Sequence, residues 1–331
     1  MATDISTNYM GLELASPVVA ASSELTSKVD NLKKLEAAGA GAVVLRSLFE
    51  EEIVAEMERT ETAMQRPGPT FPEMADMDEL IDPETGVANY LELVRQAKES
   101  LQIPVIASIN GITAQKWTYF ARKLEEQGAD GLELNIFLMP SDLNAEDPAE
   151  FEKTYFEIIR MVLEQVSIPV AVKLSFYFTL LARTLRDISN TGISGMVLFN
   201  RFFNPDYDLD NLQIVPTNVV STPAELATSL KWIAIMYGRA QCDLAASTGV
   251  HDGDGVIKQI LAGAKVVEVA STLYRNGLDV VSGLNERLSQ WMGEKGYGSL
   301  DEFRGLLSQQ SVSNPAAYDR VQFVRNFRAM R

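Results

Sequence analysis

The chain has 331 residues, 46% of them hydrophobic, enough for one large core, and barrels commonly reach this length as single units. A formal charge of −16 repels phosphate backbones and anionic lipid heads, so neither nucleic acid nor a membrane surface is an expected partner. Cys242 is the only cysteine, which excludes an intramolecular disulfide. With no signal-peptide pattern at the N-terminus and no apolar run long enough to span a bilayer, the expected location is cytoplasmic.

Strands are predicted to begin near Pro17, Ala42, Pro104, Gly131, Pro169, Gly195, Asp243 and Val266. Amphipathic helices are predicted over residues 31–38, 90–101, 115–127, 150–166, 180–190, 225–239, 255–262 and 279–292. Four segments share one pattern: a helix end, then Gly39, Gly128, Gly192 or Gly263, then an apolar strand. Glycine just past a helix supplies the left-handed cap, and short apolar strands suit a parallel sheet buried on both faces. Two alternate strands open with Ile-Pro-Val, at Ile103 and Ile168, where proline's missing N–H costs little. This alternation predicts a (β/α)8 TIM barrel forming one domain over residues 1–331. The rival, a doubly wound open sheet, would carry a glycine fingerprint in its first strand–helix turn, and Ala21-Ser22-Ser23-Glu24 has none.

Two long connections, residues 47–87 after strand 2 and 201–223 after strand 6, fall on the C-terminal face where barrel enzymes build their sites. They read either as surface loops or as lids over a site. Ser247-Thr248-Gly249-Val250 follows the seventh strand and Ala270-Ser271-Thr272 the eighth. Small residues at these two turns let the backbone approach a phosphate closely, although many barrels use such turns only for packing. His251, the only histidine, reads as a polar loop residue beside that phosphate, and Cys242 as filler at the opposite end. Asn89 reads as a cap for the helix beginning at Tyr90.

The predicted C-terminal strand ends carry Ser22, Arg46, Asn110, Asn135, Lys173 and Asn200. A lysine at the end of an apolar strand is costly unless it meets an anion or an electron-rich ring, and the alternative is a side chain that snorkels to water. The electron-rich N1–O2 edge of a reduced flavin would suit Lys173.

In the order of these motifs the chain resembles the dihydroorotate dehydrogenase family over nearly its whole length. Residues 10–22 look like the family's opening hairpin, strand and Ala21-Ser22 turn under the flavin. Glu133-Leu134-Asn135, Val172-Lys173-Leu174 and Phe199-Asn200-Arg201 match segments that reach flavin and substrate, while Thr248, Gly249, Ala270 and Ser271 match the phosphate loops. The resemblance implies an FMN-dependent oxidoreductase acting on a CH–CH bond, with Asn135, Lys173 and Asn200 as its catalytic residues. It implies cofactor contacts from Ala21, Ser22, Arg46, Asn110, Asn135, Lys173, Thr248, Gly249, Ala270 and Ser271, with no metal. It also implies a small ring such as dihydroorotate as substrate and, by analogy to the cytosolic members, a homodimer.

Two departures bear on the reaction. The family's cysteine or serine base, three residues beyond the asparagine, is replaced by Leu138, which accepts no proton. The asparagine-rich stretch after the second strand has no counterpart in residues 47–87, and Arg46 stands where a lysine is usual. Ser141, Tyr177 or a loop carboxylate could supply the base. Four readings follow: a dihydroorotate-type dehydrogenase, a family flavoprotein with another cyclic or carbonyl substrate, a non-catalytic binding subunit, and a flavin-free barrel for a phosphosugar.

Overall fold

Period-two alternation in the barrel strands, broken in the second by a register shift, decides what faces the axis. The computed structural model describes residues 3–50, 52, 86–111, 114–136, 138, 148–201, 205–216 and 219–318. A short antiparallel hairpin, β1 (Thr7–Tyr9) and β2 (Leu12–Leu14), comes first. The barrel strands are β3 (Val18–Ala20), β4 (Ala42–Phe49), β5 (Val105–Gly111), β6 (Gly131–Ile136), β7 (Val170–Leu174) and β8 (Gly195–Leu198), followed by β11 (Asp243–Ser247) and β12 (Val266–Val269). All pair in parallel, and β8 closes onto β11. Each strand starts within one residue of its expected position, which establishes the predicted eight-stranded barrel.

Helices α1 (Val29–Ala37), α2 (Val87–Ser100), α3 (Ala114–Glu126), α4 (Pro148–Leu163), α5 (Leu181–Ser189), α6 (Leu226–Met236) and α7 (Gly253–Ala262) alternate with the strands. After β12 come a short α8 (Ser271–Asn276) and α9 (Val280–Lys295). α2 begins at Val87 with Gly86 as its cap, so Asn89 lies inside the first turn and does not cap the helix. No described helix is long and apolar enough to cross a membrane. Most of residues 47–87 fall outside the described residues, but β4 continues through Phe49, three residues into that connection. Within the second connection, β9 (Pro205–Asp208) and β10 (Gln213–Pro216) form an exposed antiparallel hairpin.

One apolar cluster joins the outer strand faces to the helices, with Val18, Leu45, Leu132 and Val172 among its members. A second fills the barrel interior with Val19, Val44, Ile106, Ala171, Val197, Ala245 and Val266. Tyr9, Met10 and Leu14 from the hairpin join it and plug the N-terminal end. Gly195 is required there, since a Cβ would lie 2.7 Å from the Tyr9 hydroxyl and 2.9 Å from Met10 Cγ. The Met10 N–H donates to Asp243 Oδ2 at 2.9 Å, which ties the plug to β11.

Candidate active site

Above the apolar plug the inward positions become polar. From Ile106, Gly131, Ala171 and Val266, one step of two residues leads to Ser108, Glu133, Lys173 and Glu268. In β4 a register shift between Val44 and Ser47 inserts an extra residue, a bulge that turns Ser47 toward the neighbouring strands beside the buried Arg46. Ser47 Oγ lies 3.1 Å from Ser22 Oγ and 2.8 Å from Ser108 Oγ, which links three strand ends through hydroxyls.

Lys173 meets an anion as its position demanded, but the anion belongs to the protein. Its Nζ donates to Glu268 Oε2 at 2.8 Å and to Glu133 Oε1 at 3.3 Å. Glu133 is 1% exposed, Glu268 2% and Lys173 7%. Snorkelling is therefore excluded. Burial alone would strip the lysine of its proton, but the two carboxylates outweigh it and hold the ammonium above its ordinary range. Burial, then the charge of Glu268, pushes Glu133 up to about 8 against the pull of Lys173. A carboxyl raised in the folded state binds more protons folded than unfolded across that interval. Stability should therefore fall as pH rises from about 4.5 to about 8, by on the order of 5 kcal/mol for this group. Urea denaturation across that range measures it, and Glu133→Gln should flatten the profile.

A cavity of about 430 Å³ opens at the C-terminal mouth, within the ~300–1,000 Å³ typical of small-molecule sites. Lys173 and Glu268 line it, together with Ala21 and Ser22 and with Thr248, Gly249, Ala270 and Ser271. Asn200 also lines it, and its Nδ2 donates to Asn135 Oδ1, so the two expected substrate-side amides are in contact. Asn135, Asn110 and Arg46 are not among the lining residues. The Arg46 guanidinium is committed to Glu52, 3.1 Å away, so the residue expected to face the cofactor is engaged by the protein itself.

The turn after β11 is built for close approach. Thr248 and Gly249 both take left-handed backbone conformations, at φ +77° and +80°. A Cβ on Gly249 would lie 2.1 Å from the Leu226 backbone nitrogen, so only glycine lets this turn seat on the start of α6. The Gly249 N–H donates to Ser221 Oγ at 3.2 Å, and the Ser221 N–H donates to Ser271 Oγ at 2.8 Å. Part of the expected anion-binding donor set is thus used internally, through Ser221, a residue that sequence reasoning missed. His251 Nε2 lies 3.1 Å from the same Ser221 hydroxyl, and burial, then Arg275, lowers the ring's pKa. His251 acts as a support behind the turn.

The donor chemistry fits FMN: the cavity lining combines hydroxyls and small residues with a buried ammonium. A neighbouring cavity of about 220 Å³ shares Asn200, Arg201, Ser247 and Thr248 and is walled by Phe176, Tyr177 and Phe199. Leu138 is buried, at 7% exposure, and Ser141 lies outside the described residues. Burial pushes the nearby Tyr155 hydroxyl up to about 12, against the pull of Ser175 and the Leu138 backbone, and so out of use as a base near neutrality. At the far end, burial and then Asp243 push Cys242 up to about 12. Against an ordinary value of 9 its thiolate is about 10³-fold scarcer, so native protein at pH 8 should resist iodoacetamide that labels unfolded chain readily.

Comparison with known proteins agrees with this geometry. Residues 4–292 match the family model for dihydroorotate dehydrogenase. A dihydroorotate dehydrogenase B (NAD(+)) catalytic subunit from Thermoplasma volcanium is 24% identical, over 92% of this chain and 98% of the relative. A putative dihydroorotate dehydrogenase A (fumarate) from Aeropyrum pernix is 26% identical, over 91% and 97%. The dihydroorotate dehydrogenase (fumarate) of Trypanosoma brucei brucei is 25% identical, over 90% and 96%. With the family model covering most of its length and a closed barrel carrying the matching strand ends, the chain belongs to the dihydroorotate dehydrogenase family of oxidoreductases that act on CH–CH bonds.

Proposed function

We propose that the protein is an FMN-dependent oxidoreductase that exchanges two electrons with a CH–CH bond of a small ring, dihydroorotate or a related cyclic compound. The observation that carries this reading is one cavity lined by both Lys173 and the Thr248–Gly249 turn. When bound, FMN would supply the two-electron chemistry. Thr248, Gly249, Ala270 and Ser271 would hold its phosphate, Ala21 and Ser22 would pass beneath its ring, and Lys173 would face its N1–O2 edge. Asn200, braced by Asn135, would orient the substrate through amide hydrogen bonds.

Leu138 favours a second reading within the family, a different cyclic or carbonyl substrate. Removal of a ring C–H proton needs a base within hydrogen-bond reach, and a buried leucine supplies none. Anaerobic mixing of flavin-loaded protein with dihydroorotate and a panel of dihydropyrimidines tests both readings. Bleaching by dihydroorotate supports the first. Flavin that stays oxidised with dihydroorotate but bleaches with another ring supports the second, and protein that neither carries nor binds flavin contradicts both.

A further inference from the structure

The mouth of the barrel holds one more acidic group than its lysine can balance. Glu133 and Glu268 share the single ammonium of Lys173, and all three are buried. Among the described residues, the other charged or titratable groups around them add no second ion pair to either carboxylate. From below, Tyr9 brings a hydroxyl with no hydrogen-bond partner among the described residues. From β11, Asp243 is bonded to the Met10 N–H, and Cys242 precedes it at the lower end. From β4, Arg46 is paired with Glu52 at 3.1 Å and approaches Glu24 at 4.0 Å. β5 brings the uncharged Ser108, and α2 brings the buried Tyr90, whose hydroxyl donates to the Ser108 carbonyl at 2.9 Å. With both carboxylates ionised the triad would carry a net charge of −1 among buried side chains, and two acids held together there favour sharing a proton.

We propose that Glu133 and Glu268 form a proton-holding pair that takes up one proton as negative charge accumulates on the group bound against Lys173. The inference rests on the FMN reading above. Lys173 and Glu268 line the cavity, so charge added there competes with both carboxylates for one ammonium. Glu133 makes the longer contact, 3.3 Å against 2.8 Å, and its carboxylate is the one the lysine stabilises less. Oxidation of the substrate CH–CH bond releases two electrons and two protons. Bound FMN would take both electrons and one proton; above the pH at which the oxidised protein has lost the Glu133 proton, the second proton equivalent would be held on a Glu133 oxygen, and below it, where Glu133 is already protonated, it would pass to solvent. No bond to carbon forms on the triad, and the proton leaves when the flavin is reoxidised. Burial and the neighbouring Glu268 already raise the affinity of Glu133 for a proton, in the sense this role needs.

The midpoint potential of the bound flavin, measured by spectroelectrochemistry from pH 6 to 10, tests the proposal. For two electrons, each coupled proton contributes about 30 mV per pH unit. The wild-type line should steepen from about 30 to about 59 mV per unit as pH rises past the point where the oxidised protein loses the Glu133 proton. Glu133→Gln, which is close to isosteric, should stay near 30 mV per unit throughout, and circular dichroism would verify its fold. A wild-type line of constant slope near 30 overturns the proposal without any variant, and so does a break that persists in Glu133→Gln. Protein that binds no FMN removes the functional reading and this proposal together, whereas a flavin-bound protein with a single slope removes the proposal alone.

Discussion

Lys173→Ala is expected to lower the thermal midpoint by about 6–10 °C and to weaken FMN binding at least tenfold. Removing one partner from a buried charge cluster costs about 3–5 kcal/mol, because the carboxylates of Glu133 and Glu268 are left buried without their cation. At about 2 °C per kcal/mol for a chain of this size, the shift falls in the stated range. The pH dependence separates this cause from simple loss of packing. Without the ammonium, both acids bind protons more tightly folded than unfolded, so the variant should lose stability steadily as pH rises above about 4.5. Below that pH the acids are neutral in both states, and the gap to wild type should shrink toward the packing contribution of the lysine stem. Differential scanning fluorimetry at pH 4.5 and pH 8 measures both arms. An equal gap at the two values would mean that the triad is not the source of the effect.

Gly249→Ala should be the most damaging single-methyl change at the site, costing roughly 2–5 kcal/mol. The left-handed backbone at φ +80° costs a side-chain-bearing residue about 1–2 kcal/mol. The added Cβ would also lie 2.1 Å from the Leu226 nitrogen and 2.6 Å from its Cα, both of them backbone atoms. Overpacking of this kind adds about 1–3 kcal/mol. Relief requires either the turn or the start of α6 to move, and either movement displaces Ser221, whose hydroxyl accepts the Gly249 N–H. Loss of FMN affinity is therefore expected together with loss of stability. Gly283→Ala in α9 is the control, since a Cβ there meets nothing within 4 Å. It should stabilise the protein by about 0.5–1 kcal/mol through the unfolded state and leave flavin binding alone. Urea titrations of the two variants, read beside FMN titrations, check the contrast.

The barrel was legible because its punctuation is local. The glycines at 39, 128, 192 and 263 all take positive φ just past helices, and the two Ile-Pro-Val starts fall at strand entries. The charged triad was less legible. Val266–Val269 reads as an apolar run, although counting back by two from Ala270 places Glu268 on the axis, and the same count from Asn135 places Glu133 there. The pairing of Arg46 could not be read locally, because it depends on a bulge in β4 and on Glu52 folding back onto the strand. Ser221 reaches the phosphate-side turn from the far end of a long connection, and no spacing rule announces such a contact. The short α8 was missed because six residues carry too little periodicity to register.

The kept and altered parts of the site point the same way. The phosphate-side turns and Lys173 support the family's cofactor, whereas Leu138 and the Arg46–Glu52 pair alter the ground on which a substrate would sit. A binding site for FMN is thus the claim on which every reading of the reaction depends. Calorimetric titration of flavin-free protein with FMN and, separately, with riboflavin tests it most directly. The expected result is one FMN per chain, with riboflavin at least a hundredfold weaker because it lacks the phosphate that the Thr248–Gly249 and Ala270–Ser271 turns would hold. Equal affinity for the two flavins, or no heat with either, would contradict it.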